Sequence, residues 1–140
     1  MNLVDQLKRD EGVRYVPYQD SLGYWTCGVG HKLSGAPVSM DPVSDEQVNQ
    51  WLDADILTAQ EGLAPYHWYQ IQDEVRRAAC VNMAFNLGVH GLLHFPHMLA
   101  ALDINDWETA AEEMADSLWA KQVGERAKRL ETQILTGIWQ

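Results

Sequence analysis

Glu11 closes a run of helix-forming residues, and Asp20 follows nine positions later in a turn-like stretch beside closely spaced glycines. Two such carboxylates, one protonated and one ionised, are what cleavage of a glycosidic bond needs. The first protonates the leaving oxygen, and the second stabilises positive charge or activates a water. The chain holds 20 Asp and Glu, and most such pairs in proteins are solvated surface charges, so the inventory alone leaves both readings open. Thr26 adds a hydroxyl that can donate and accept a hydrogen bond, though threonine is also simply a good strand former. His90, His94 and His97 raise the question of a metal. Gly91 and Pro96 interrupt any regular helix there and no nearby cysteine or carboxylate completes a ligand set, so neither metal nor cofactor is expected. Cys27 and Cys80 form no CxxC motif and no dense cysteine framework, and read as buried free thiols.

These side chains need elements to hold them. Asn2 can cap a first helix with an apolar stripe of Leu3, Val4 and Leu7, and Gly12 is placed to end it, which leaves Glu11 at the helix C-terminus. The following segment, YVPYQDSLGYWTCGVGH, suits hairpins and is the one convincing strand region. Residues 34–43 hold two prolines and a glycine and read as a loop. Ser44 and Gln47 then form a capping box for a long helix with apolar residues Val48, Trp51, Leu52, Ile56, Ala59 and Leu63. Gly62 and Pro65 mark its end or a break near it. Beyond Asp73 the apolar spacing is helical almost to the C-terminus, punctuated by Gly88, Gly91 and Pro96. Trp51, Trp107, Trp119 and Trp139 read as core rather than as a stacking platform, while Trp25 lies in the hairpin itself.

The expected fold is therefore α+β and predominantly helical, a single domain over 1–140. It comprises a small lobe with a short antiparallel sheet (about 12–43), a connecting helix (about 44–64) and a larger helical lobe (1–11 and about 65–140), with a cleft between lobes. A content of 46% hydrophobic and 21% charged residues fits one folded domain and argues against disorder. The net charge of −10 lacks the basic footprint of a nucleic-acid binder. No apolar run approaches the roughly 18 residues of a membrane span, and the charged N-terminus is unlike a secretory signal. The expectation is a soluble monomer made in the cytoplasm, with no nucleic-acid partner and no stable membrane insertion.

The string EGVRYVPYQDSLGYWTCGVGH follows the pattern EGxRxxxYxDxxGxxTxGxGH and resembles the bacteriophage lysozyme (endolysin, muramidase) family, glycoside hydrolases that cut peptidoglycan glycan chains. The resemblance continues in family order through DEVRRAACVNMAFNLG, DWETAAEEM and ERAKRLETQILTGIW. It implies that Glu11 is the general acid, that Asp20 activates or stabilises the attacking water, and that Thr26 helps hold it, with inversion at the anomeric carbon. It further implies substrate contacts at Gly30, Lys32, Phe85 and Asn86, and an Arg126 that approaches the catalytic glutamate. His31 and Asp55 are expected to pair structurally. Lys32 stands where the best-known relatives carry an apolar residue, and the segment after His31 is shorter than in the longest of them. The resemblance implies peptidoglycan glycan chains as the partner. It also implies release from the host cytoplasm to the wall through a separate membrane-permeabilising protein. A lytic transglycosylase or a catalytically silent wall-binding protein are the competing readings.

Overall fold

The computed structural model describes all residues 1–140 and contains eight helices and one three-stranded sheet. The α+β, predominantly helical class is the one expected. Two compact units divide the chain, Asn2–Thr58 and Ala59–Gln140.

The first unit opens with α1 (Leu3–Glu11). Asn2 caps it as expected, its Oδ1 accepting from the Asp5 N–H at 2.9 Å. Gly12 ends it at φ +75°, donating its N–H to the Lys8 carbonyl at 3.0 Å. The sheet comprises β1 (Arg14–Gln19), β2 (Trp25–Gly28) and β3 (His31–Lys32), antiparallel in the order β1-β2-β3. Tyr18 pairs with Thr26, and Thr26 with Lys32, so these three form one row across the sheet. The stretch from 34 to 44 carries no helix or strand. The long helix α2 (Asp45–Leu63) begins where Ser44 Oγ accepts from the Gln47 N–H at 3.1 Å. Leu7, Cys27, Val48 and Leu52 are buried in this unit.

The second unit is helical: α3 (His67–Gln70), α4 (Glu74–Leu92), α5 (Pro96–Leu102), α6 (Trp107–Ala115), α7 (Leu118–Val123) and α8 (Glu125–Thr136). Its core draws on Cys80, Met83, Leu102, Met114, Leu130 and Ile134, with α6 packed on α5 and α8, and α4 on α8. Gly88, at φ +76° and ψ 156°, kinks α4 near its C-terminal end. Arg76 ties the start of α4 to the end of α8. Its Nε donates to the Ile134 carbonyl at 2.6 Å and its Nη1 meets Asp73 at 2.8 Å, while Trp107 lies under the guanidinium at 3.5 Å.

Both cysteines are free and buried, and burial pushes the Cys80 thiol up to about 12. Of the four tryptophans expected in the core, Trp119 is buried, whereas Trp51, Trp107 and Trp139 are half-buried. The indole of Trp107 accounts for its position, because its N–H reaches Gln72 Oε1 at 3.0 Å and its face carries Arg76. No helix is long and apolar enough to cross a membrane.

Candidate active site

Glu11 owes its place to the end of α1. The glycine cap turns the chain immediately after it, and its carboxyl comes to rest against the β2–β3 turn. A Cβ added at Gly30 would lie 3.6 Å from Glu11 Oε2. Gly30 has φ +66°, so a side chain there would be strained as well as set against the carboxyl. Gly30 thus shapes the seat of Glu11.

Asp20 sits in the β1–β2 turn, where its backbone and side chain both close the loop. Its N–H donates to the Tyr24 carbonyl, and its own carbonyl accepts from the Gly23 N–H, both at 2.9 Å. Oδ1 accepts from the N–H groups of Leu22 and Tyr24, again at 2.9 Å each. This is an Asx-type arrangement, in which the side chain stands in for a backbone acceptor. Oδ2 faces Lys32 Nζ at 3.6 Å, and a quarter of the Asp20 side chain remains exposed. The Tyr24 N–H foremost holds the Asp20 carboxyl below the ordinary aspartate range; burial, next in size, pushes it up, and the Leu22 N–H and the Lys32 ammonium add smaller downward pulls.

Thr26, buried in the middle of the row, donates its hydroxyl to the Tyr24 carbonyl at 3.0 Å. Its oxygen keeps acceptor capacity. Beside it on β1, Tyr18 senses both carboxylates. Burial raises its phenol above the usual tyrosine value and Arg14, stacked over the ring at 4.2 Å, opposes this, while the charges of Glu11 and Asp20 raise it further. Sequence reasoning did not single out Tyr18, although it is the fixed Tyr of the motif.

Lys32, expected to touch substrate, extends along the row with its ammonium 4.3 Å from the Tyr24 ring centroid and beside Asp20. That pairing is invisible in the sequence, since it depends on the register of a two-residue strand. His31 does pair with Asp55, Nδ1 lying 2.8 Å from Oδ2, and its ring stacks on Trp51 at 4.8 Å.

Phe85, Asn86 and Arg126 lie in the second unit. Phe85 is half-buried on α4, and Asn86 is exposed, its Oδ1 accepting from the Trp119 indole N–H at 2.8 Å. Arg126 on α8 is buried and reaches α4, where Asn82 Oδ1 accepts from its Nε at 3.0 Å and its Nη2 at 2.7 Å. No three His, Cys, Asp or Glu side chains gather as a metal-ligand set. His90 and His94 instead meet edge to face, with His94 Nδ1 3.0 Å from the His90 carbonyl oxygen.

The phage lysozyme family matches residues 8–133. Similar relatives include the pre-baseplate central spike protein Gp5 of Enterobacteria phage T4, 32% identical over 98% of this chain and 28% of that protein. The chain therefore spans little more than a quarter of the spike protein's length. Probable T4-type lysozyme 1 of Dictyostelium discoideum is 28% identical over 97% of this chain and 95% of its own. The endolysin of Salmonella phage P22 is 28% identical over 86% of this chain and 82% of its own. The first two alignments run over 161 positions against 140 residues here, so this chain lacks residues those relatives carry. With the motif residues gathered at the end of α1 and on the adjoining sheet, and the match extending over most of the sequence, the chain belongs to the phage lysozyme family and carries its lysozyme domain.

Proposed function

We propose that this domain lyses peptidoglycan by hydrolysing the β-1,4 bond between N-acetylmuramic acid and N-acetylglucosamine with inversion. Glu11 donates its proton to the leaving glycosidic oxygen. Asp20, ionised, orients and activates the water that attacks the opposite face of the sugar. Thr26 offers that water an acceptor, because its own proton is committed to the Tyr24 carbonyl. The family resemblance alone assigns Phe85 and Asn86 to the glycan and Arg126 to the acid.

What supports the reading is that a glycine-capped helix end seats Glu11 against the β2–β3 turn, while an Asx turn holds Asp20 in the β1–β2 turn of the same sheet. The depressed Asp20 suits the ionised partner, since it stays charged as pH falls below the ordinary aspartate range. In the same reading the protein works as a monomer on the host wall, released from the cytoplasm by a separate membrane-permeabilising protein.

The test is turbidity clearing of chloroform-treated Gram-negative cells by the purified protein and by Glu11→Gln. The parent should clear the cells and the variant should lose about 1,000-fold or more, as expected when an essential proton donor is removed. Equal clearing by the two would remove Glu11 from the mechanism. Mass spectrometry of the released sugars separates hydrolysis from transglycosylation, because the anhydro product of the latter is lighter by one water.

A further inference from the structure

We propose that Lys32 is a positioning residue for Asp20: its ammonium, seated over the Tyr24 ring, fixes the second carboxylate oxygen and extends catalysis toward acid pH. The inference rests on Asp20 being the ionised carboxylate of the hydrolytic reaction. Asp20 Oδ1 is occupied by two backbone N–H groups, so Oδ2 is the oxygen left to act on water or on developing positive charge. Lys32 Nζ stands 3.6 Å from that oxygen. The lysine is itself held in place, because Lys32 is paired with Thr26 in the sheet and its ammonium lies 4.3 Å from the Tyr24 ring centroid. Tyr24 thus serves both partners, with its N–H on Asp20 and its ring under Lys32.

The titratable groups that interact with Asp20 are Tyr18 on β1, Tyr24 in the turn and Lys32 on β3, while Glu11 on α1 and Arg14 on β1 act on Tyr18. Arg14 is committed to the Tyr18 ring at 4.2 Å. Lys32 is the cation that acts on Asp20, through its charge at 3.6 Å from Oδ2. In a chain of net charge −10, a local ammonium opposes the general pull toward protonation. The Lys32 side chain is 60% exposed, so this hold is open to screening by salt. An aliphatic residue at the same position would contact sugar but leave Oδ2 without its partner.

The full chain, Lys32→Met and Lys32→Arg are compared by carbon NMR titration of the Asp20 carboxyl and by initial rates on soluble glycan strands. In Lys32→Met, Asp20 should titrate at higher pH than in the parent. The fall of its kcat/KM between neutral pH and about pH 3, below the ordinary aspartate value, should exceed the parent's by up to about two- to five-fold, the limit set by one partly exposed charge. Lys32→Arg should restore both readouts. The deficit of Lys32→Met should shrink as salt rises from about 20 mM to about 300 mM. An unchanged Asp20 titration in Lys32→Met overturns the proposal, and so does a KM increase uniform across pH, which would mark a plain substrate contact. Failure of Lys32→Arg to restore the titration also counts against it. Asp20→Asn separates the two levels of the argument. If it retains full activity, the hydrolytic role of Asp20 falls, whereas an inactive Asp20→Asn beside an unshifted Lys32→Met removes only the role of the lysine.

Discussion

The imidazole of His31 lies within 10° of parallel to the Trp51 ring and meets Asp55 through Nδ1, so one side chain joins β3 to α2 by stacking and by a hydrogen bond. Neither contact involves the carboxylates proposed to do the chemistry. The loss from His31→Ala should therefore appear first in stability, about 1–3 kcal/mol from a hydrogen bond to a charged group and a half-buried ring contact. Chemical denaturation at neutral pH measures it, and a midpoint equal to the parent's would show the contact to be inconsequential. The pairing of His31 with Asp55 is legible from the family pattern. The pairing of Lys32 with Asp20 is not, because residues twelve apart meet only through the register of β2 and β3. The approach of Glu11 to Gly30 is hidden for a similar reason: a glycine in a sequence does not say which side chain it makes room for.

Helix boundaries are plain in the sequence where a cap carries them. Asn2, Gly12 and Ser44 each perform the role their types announce. Periodicity is less informative after Asp73: Gly91 and Pro96 announce the break between α4 and α5, but the apolar rhythm conceals those between α6, α7 and α8. Ser117 caps α7 by accepting from the Ala120 N–H at 3.1 Å, and Gly124 separates α7 from α8 at φ +60°, neither of which interrupts the spacing of buried residues. At the start of α4, Asp73 caps the helix through the Arg76 N–H at 2.9 Å and binds the Arg76 guanidinium. Burial raises its carboxyl, but these bonds outweigh that and hold it below the ordinary aspartate value of 3.8. A depressed carboxyl contributes stability that is fully present above its unfolded value and is lost as pH falls through its folded one. Asp73→Ala should accordingly cost about 1 kcal/mol at neutral pH, as a lost N-cap does, and progressively less below the ordinary aspartate range. Paired thermal melts at neutral and strongly acid pH check this. A penalty that is constant with pH would leave the ion pair and the cap without a role in acid stability.

For the molecule taken whole, charge is the dominant quantity. If the proposed substrate is right, a chain at −10 approaches an anionic cell wall against electrostatic repulsion, which slows association most when few ions screen it. Clearing of cells should therefore quicken as salt is raised from a few millimolar to about 0.1 M, where the screening length contracts to about 10 Å. A rate that declines steadily over that range would mean that attraction, not repulsion, governs the encounter. Composition alone makes this effect legible, since net charge does not depend on how the chain folds.

The segment between β3 and α2 is anchored at both ends, with the Leu33 N–H on the Trp25 carbonyl at 2.8 Å and the Val43 N–H on the Tyr15 carbonyl at 2.8 Å. Between those anchors no helix or strand forms, and Val38 is fully exposed. Such a bridge is a natural splice point: a cationic peptide inserted at its crest would be carried as cargo while its two footings stay in place. A tether to an anionic surface could thus be grafted on without editing a residue proposed to touch sugar.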